Sequence, residues 1–250
     1  MIHSFLLIGQ SNAAGRGLAS EVEPIGSKRL LMLRNGRWQP MSTPVNPDRP
    51  TSGVSFAESF AAAYAEDKQV NVGIIPCADG GTRLDQWCVG GLLFDHACCM
   101  AKLASRTSTI AGVLWHQGES DCGEEHYPQY REKLTVILNA FREKLQLQDV
   151  QFLLGGLGGF LADCTRKAEF KNYVHVNAAL QAVADAHERN VFDSAEGLAP
   201  NPDNTHFSAI ALREFGLRYY SEFLKLEDKN KVFAEKVSTD GAIRTDLDQL

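Results

Sequence analysis

The chain has 250 residues, 44% of them hydrophobic, which suits one large α/β domain better than two. Its formal net charge of −6 is the wrong sign for a nucleic-acid face, and no apolar run approaches the roughly 20 residues that cross a bilayer. Cysteines stand at 77, 88, 98, 99, 122 and 164, with no Cys-x-x-Cys and no zinc-like histidine spacing, so reduced, mostly buried thiols and no metal or other cofactor are expected.

The N-terminus, Met1-Ile2-His3-Ser4, lacks a cationic segment, and the run behind it is needed as a strand. It places the protein in the cytoplasm, although a chain from which a signal peptide had been removed would read the same. Phe5–Ile8 is that strand, and Gly9-Gln10-Ser11-Asn12 follows it. Gly9 permits a tight turn. Ser11 is expected at the N-cap of a helix, where hydroxyl and N–H sit at the positive end. That position suits a nucleophile and a nascent oxyanion, and equally suits an ordinary capping serine. Leu30–Leu33 and Arg37–Gln39 flank Asn35-Gly36, a type I′ hairpin signal, placed as an insertion beside the first helix. Residues 40–54 carry four prolines and read as a surface loop.

A helix over Ser55–Asp67 and a strand over Val70–Pro76 lead to Cys77-Ala78-Asp79-Gly80-Gly81-Thr82. Paired glycines there either expose backbone N–H groups to a ligand or make an ordinary loop. Trp87 reads as a core residue or as a flat platform for a sugar. A helix over Leu92–Ser105 and a strand over Thr109–Trp115 follow, then His116-Gln117-Gly118-Glu119-Ser120-Asp121. So dense a polar cluster is costly to bury unless satisfied. Gln117 offers two amide N–H donors suited to a negative oxygen; Glu119 orients neighbours or contacts substrate; a structural network around a turn is the alternative.

Helices over Tyr127–Leu145 and Tyr173–Arg189, with strands Val150–Gly155 and Val191–Asp193, complete the alternation. Asp203-Asn204-Thr205-His206 then enters a helix over Ser208–Leu224. An aspartate three residues before a histidine can accept from Nδ1 and hold the tautomer whose Nε2 takes a proton from serine; it can also simply cap a helix. From Glu227 onward polar residues dominate. Residues 1–226 read as the domain and 227–250 as a charged surface tail, anchored by Val232-Phe233 and Ile243. Strands alternating with helices predict a mostly parallel sheet covered on both faces. Each motif follows a strand or precedes the last helix, so all can meet at the strands' carboxyl edge, where such sheets bind ligands.

In order along the chain, Gly9-Gln10-Ser11-Asn12, Gly80-Gly81-Thr82, His116-Gln117-Gly118-Glu119 and Asp203-x-x-His206 resemble the SGNH/GDSL hydrolase superfamily. More narrowly they resemble its sialate O-acetylesterase-related branch, carbohydrate esterase family 6. Any one of these motifs is weak; four in order, spanning Ile8 to His206, are strong. The resemblance implies a three-layer α/β/α, flavodoxin-like fold and a serine esterase whose partner is an acetylated carbohydrate, with neither nucleic acid nor membrane. It implies Ser11 as nucleophile, His206 as general base, Asp203 as its orienting acid, and an oxyanion hole from Ser11, Gly81 and the Gln117 side chain. Gln10, Asn12 and Glu119 would support the site. Arg83, Asp85 and Trp87 would lie near a sugar, Arg83 pairing with a carboxylate as in sialic acid or serving as a solvated ion-pair residue. Acetyl-xylo-oligosaccharide or O-acetylated sialic acid is the expected substrate. A catalytically idle carbohydrate-binding relative and a lipase- or thioesterase-like hydrolase are the alternatives. Ala13 departs from the methionine usual in relatives, which bears on pocket shape.

Overall fold

The computed structural model describes residues 1–247, with side chains through residue 228. β1 (Ile2–Gly9) lies at the centre of the fold, and all of its apolar run from Phe5 to Ile8 is buried, as befits a strand covered on both faces. Successive side chains point to opposite faces, so Phe5 and Leu7 join one core while Leu6 and Ile8 join the other. A single helical turn, α1 (Ser11–Ala14), precedes the hairpin β2 (Leu30–Arg34) and β3 (Arg37–Pro40). Then come α2 (Phe56–Lys68), β4 (Asn71–Pro76), α3 (Leu92–Ala104), β5 (Thr109–His116) and α4 (Tyr130–Leu145). β6 (Gln151–Gly155), α5 (Tyr173–Asp185), β7 (Asn190–Asp193) and α6 (Ala209–Leu247) finish the described chain.

Among the described residues the strands form one seven-stranded sheet, ordered β3-β2-β4-β1-β5-β6-β7 and parallel except for β3. α2 and α6 cover one face. Their Phe60 and Tyr64 ring centroids both lie 4.8 Å from that of Phe5, and Phe56 stacks on Tyr219 at 4.4 Å. α3, α4 and α5 cover the other face, where Phe94 meets Phe141 at 4.3 Å beside Leu134, Leu138 and Leu180. This is the three-layer α/β/α architecture. All six cysteines are free; Cys88 and Cys99 are exposed and the rest buried.

Element boundaries follow local chemistry. Ser55 caps α2 in a reciprocal box with Glu58. Pro128 sits in a 3-10 turn, so α4 starts at Tyr130, later than the apolar periodicity suggests. Asn35 and Gly36 have φ of 51° and 70°, the backbone of a type I′ turn. The hairpin is not an insertion beside the first helix, however. β2 pairs parallel with β4, Met32 against Ile74, because Leu30, Met32 and Leu33 form an apolar surface that needs the sheet. α6 runs past the expected end at Leu224, since from Phe223 to Leu247 the sequence has no proline and a single glycine. The side chains of Val232, Phe233 and Ile243 lie outside the described residues, as do residues 248–250.

β7 ends on a buried carboxyl. Asp193 is 4% exposed and its Oδ2 has no hydrogen-bond partner; burial, with Glu222 adding to it, pushes the group up to about 8. A raised folded-state value means the folded protein holds this proton more tightly than the unfolded chain. Stability therefore falls as pH rises from the ordinary value of 3.8 through about 8. Asp193→Asn removes that fall. At pH 8 its melting temperature should exceed wild type by about 2–6 °C, corresponding to about 1–2 kcal/mol, and the gap should shrink at pH 5. An equal gap at both pH values would exclude this origin.

Candidate active site

The strand order reverses at β1, whose neighbours are β4 on one side and β5 on the other, and the crevice beyond its carboxyl end is where such sheets bind ligands. Gly9 closes β1 with φ of 127°, and a Cβ there would lie 2.1 Å from the His116 carbonyl oxygen. Only glycine permits that approach. The helix then begins one residue earlier than expected. Gln10 is the N-cap, and Ser11 is the first residue of α1. Its hydroxyl caps nothing; Ser11 Oγ stands 3.0 Å from His206 Nε2. Its N–H belongs to the first helical turn, where no intrahelical acceptor exists.

His206 Nδ1 lies 2.6 Å from Asp203 Oδ2, while Asp203 Oδ1 accepts the N–H groups of Thr205 and His206 at 2.9 and 3.0 Å. One carboxylate oxygen thus shapes the turn and the other aims the ring. Burial pushes the Asp203 carboxyl up, but the hydrogen bonds from the His206 ring and the two backbone groups outweigh it and hold it below its ordinary value. Asp203 does not cap α6, which begins later, at Ala209.

Asn12 ties this turn to the β5 loop. Its Nδ2 donates to Glu119 Oε1 at 2.5 Å and to the Thr205 carbonyl at 3.4 Å, and its Oδ1 accepts from Phe207 N–H at 3.2 Å. Burial pushes Glu119 up, yet His116 and Asn12 hold it below the usual carboxylate value. Ala13 is fully buried.

Gly81 has φ of 77° and open space where a Cβ would be, so backbone conformation rather than crowding calls for glycine. Gln117 departs from its expected place. It is fully buried, its Nε2 lies 2.6 Å from Asp121 Oδ2 and 3.0 Å from the Thr82 carbonyl, and its Oε1 accepts from Tyr130 at 3.1 Å. With its amide committed on both sides it buttresses the loops and does not line the cavity. Trp87 is no platform either. It is fully buried, donates to Thr82 Oγ1 at 3.1 Å and packs edge-on to Trp115. Arg83 approaches His126 at 3.1 Å in a neighbouring cavity, and Asp85 pairs with Lys133 at 2.6 Å. Neither lines the Ser11 cavity.

That cavity, of about 330 Å³, holds Ser11, His206, Gly81, Gln10 and Glu119, their motif neighbours Gly80, Ser120 and Thr205, and residues the motifs did not reveal: Arg16, Arg49, Arg166, Lys167 and Phe170. Arg166, Lys167 and Phe170 come from the long connection after β6. Its position at a strand's carboxyl end was the available signal. Gln10 Oε1 is held by N–H groups of Gln117, Gly118 and Ser120 at 3.2 to 3.4 Å, which leaves Nε2 as the free end of this amide. A hydroxyl, an imidazole and a carboxylate in this line can move a proton from oxygen to nitrogen as the oxygen attacks a carbonyl.

The chain is 28% identical to a probable carbohydrate esterase of Arabidopsis thaliana over 88% of its own length and 89% of the relative's. The X-ray structure of that Arabidopsis protein superposes with a TM-score of 0.77 at 24% identity, covering 89% of this chain and 98% of that one. NanS gives 0.74 at 16% identity, covering 91% and 98%. A carbohydrate acetylesterase from Xanthomonas citri gives 0.63 at 16%, covering 87% of this chain and 55% of that one. At such identities these structures speak for the fold. The family model described as carbohydrate esterase, sialic acid-specific acetylesterase matches residues 1–225. The chain therefore belongs to that family of carbohydrate esterases and is a carboxylic ester hydrolase.

Proposed function

We propose that this protein removes O-acetyl groups from an anionic sugar, with Ser11 as nucleophile, His206 as general base and Asp203 orienting it. The observation that carries this reading is the Ser11–His206–Asp203 line, with contacts of 3.0 and 2.6 Å, opening on a cavity that also holds Arg49, Arg166 and Lys167. Ser11 Oγ attacks the acetyl carbonyl as its proton passes to His206 Nε2. The tetrahedral intermediate then collapses, His206 returns the proton to the departing sugar oxygen, and an acetyl-serine remains. Water, deprotonated by His206, releases acetate and restores Ser11.

Two backbone donors, the N–H groups of Ser11 and Gly81, receive the oxyanion. Gln10 supplies the side-chain donor in place of Gln117, because its oxygen is tethered inward and its amide nitrogen is left for the cavity. Removing such a donor costs about 10²–10³-fold in kcat. Gln10→Ala should show that loss with little change in KM, since the bond strengthens only in the transition state. A wild-type kcat would remove Gln10 from this role.

The lining supports an anionic substrate. Within a chain of net charge −6, the cavity collects cationic side chains, and among the described residues neither Arg166 nor Lys167 is in an ion pair. Such groups favour a carboxylate. O-acetylated sialic acid fits this chemistry, whereas acetylated xylo-oligosaccharides are neutral. Acetate release should therefore favour the sialic acid by about tenfold or more in kcat/KM, the equivalent of one charge-assisted contact. Arg166→Ala should narrow the ratio. An equal or reversed preference would overturn the anionic assignment.

A further inference from the structure

The proline-rich loop of residues 40–54 grips the Gly80-Gly81 turn from outside. Asn46 pairs with Ala78 in both directions: its Oδ1 accepts the Ala78 N–H and its Nδ2 donates to the Ala78 carbonyl, each at 2.9 Å. Asp48 Oδ2 accepts the Gly80 N–H at 2.8 Å. Arg49 Nη2 donates to the Gly80 carbonyl at 3.3 Å and pairs with Asp79 Oδ1 at 2.7 Å. Side chains here do for residues 78–80 what a neighbouring strand does with its backbone.

Peptide planarity gives the two contacts on Gly80 their meaning. Asp48 holds the plane before the Gly80 Cα and Arg49 holds the plane after it. In a trans peptide the C=O and the next N–H point in opposite directions. Fixing the Gly80 carbonyl on the Arg49 side therefore aims the Gly81 N–H the other way. Two successive glycines would otherwise leave that direction soft.

The Asp48 carboxylate is itself held firmly. Arg16 grips it with two N–H groups at 2.7 and 3.0 Å, and Ser52 Oγ donates at 2.7 Å. The side chain is 5% exposed. Arg16 lies just beyond the turn that carries Ser11. A Cβ on Gly80 would fall 2.4 Å from Arg16 Nη2, 2.8 Å from Asp48 Oδ2 and 3.5 Å from Ser11 Cβ. Asp48 thus stands between the two backbone segments that face the reacting carbonyl.

We propose that Asp48 is a positioning residue for ester hydrolysis, locking with Arg49 the two peptide planes around Gly80 so that the Gly81 N–H points at the developing oxyanion. This rests on the assignment of Ser11 and Gly81 made above. It gives the proline loop a part in transition-state stabilisation.

The test uses 4-nitrophenyl acetate, which lacks a sugar and so bypasses carbohydrate recognition, alongside a trifluoromethyl ketone that adds to Ser11 as a tetrahedral oxyanion. Asp48→Ala should lower kcat about 10²-fold with KM within about twofold, since misplacing a transition-state group acts on kcat. Ketone affinity should fall in parallel. Asp48→Asn keeps an oxygen that can accept the Gly80 N–H and should recover about tenfold of the loss. Wild-type kcat in both variants, or a loss confined to KM with ketone affinity unmoved, overturns the proposal. Should the unpaired Arg16 prevent Asp48→Ala from folding, Asp48→Asn and Ser52→Ala decide. Asp48→Asn should show a kcat reduced by about tenfold and Ser52→Ala by about two- to fivefold, each at unchanged KM, and wild-type values in both overturn the idea. A Ser11→Ala control separates the two levels. If it is inactive while the Asp48 variants behave as wild type, only the positioning role falls; if it is active, both fall.

Discussion

Ser11→Ala is expected to lose about 10⁶-fold in kcat, the scale on which removing a triad serine acts, while melting within a degree or two of wild type. The two halves of that expectation come from the same geometry. Ser11 is the first residue of α1 and its hydroxyl caps no backbone group; it faces His206 Nε2 at 3.0 Å. Deleting the oxygen therefore removes the proposed attacking atom and very little else. What remains are the oxyanion donors and the cavity, which by themselves leave a residual rate above water of about 10³–10⁴-fold. Acetate release and labelling by a fluorophosphonate are the measurements. A variant that keeps hydrolysing would mean that water attacks directly with His206 as base, and the acetyl-serine would have to be abandoned.

Asp203→Asn should cost about 10⁴-fold in kcat, and here the reason can be traced atom by atom. Asp203 Oδ1 accepts two backbone N–H groups, from Thr205 and His206, whereas Oδ2 faces His206 Nδ1. In asparagine the oxygen must stay on the backbone donors, because an NH₂ group there would point hydrogens at hydrogens. The NH₂ is then forced toward Nδ1. A ring nitrogen facing a donor must carry its lone pair, so the proton moves to Nε2, the atom that should receive the proton from Ser11. The variant folds with its imidazole in the wrong tautomer. Activity within tenfold of wild type would show that the aspartate does not govern this choice.

The fold was legible because its information is local. The unbroken apolar run Phe5–Ile8 announced a doubly covered strand, and Asn35-Gly36 announced the hairpin turn. The hairpin's place in the sheet was not legible, because pairing of Met32 with Ile74 joins residues far apart in sequence and leaves no periodic mark. At the site, Ser11, Asp203 and His206 stood out since a turn and a three-residue spacing encode their relations. Gln117 was misplaced for the opposite reason. Nothing in His116-Gln117-Gly118-Glu119 tells which amide faces the crevice; that depends on Tyr130 and Asp121 taking up the Gln117 amide. Asp48 and Arg49 were hidden by their setting among prolines, where charged residues read as solvated. Arg166 and Lys167 sit in a connection without periodicity.

The serine stands at residue 11 and the histidine at residue 206, joined through the meeting of β1's end with the entry to the last helix. With Ser11 proposed as nucleophile and His206 as its base, the chain must grow by 195 residues from the one to the other, so during synthesis on a ribosome the serine waits for most of the domain before its proposed base exists. No partial product of translation, and no fragment ending before His206, can hydrolyse an ester by this route. Contacts between such distant positions are also among the slowest for a chain to close. On the proposed assignment esterase activity is consequently a late property of a nascent molecule, and its appearance would serve as an intrinsic clock for closure of the fold around β1 and α6.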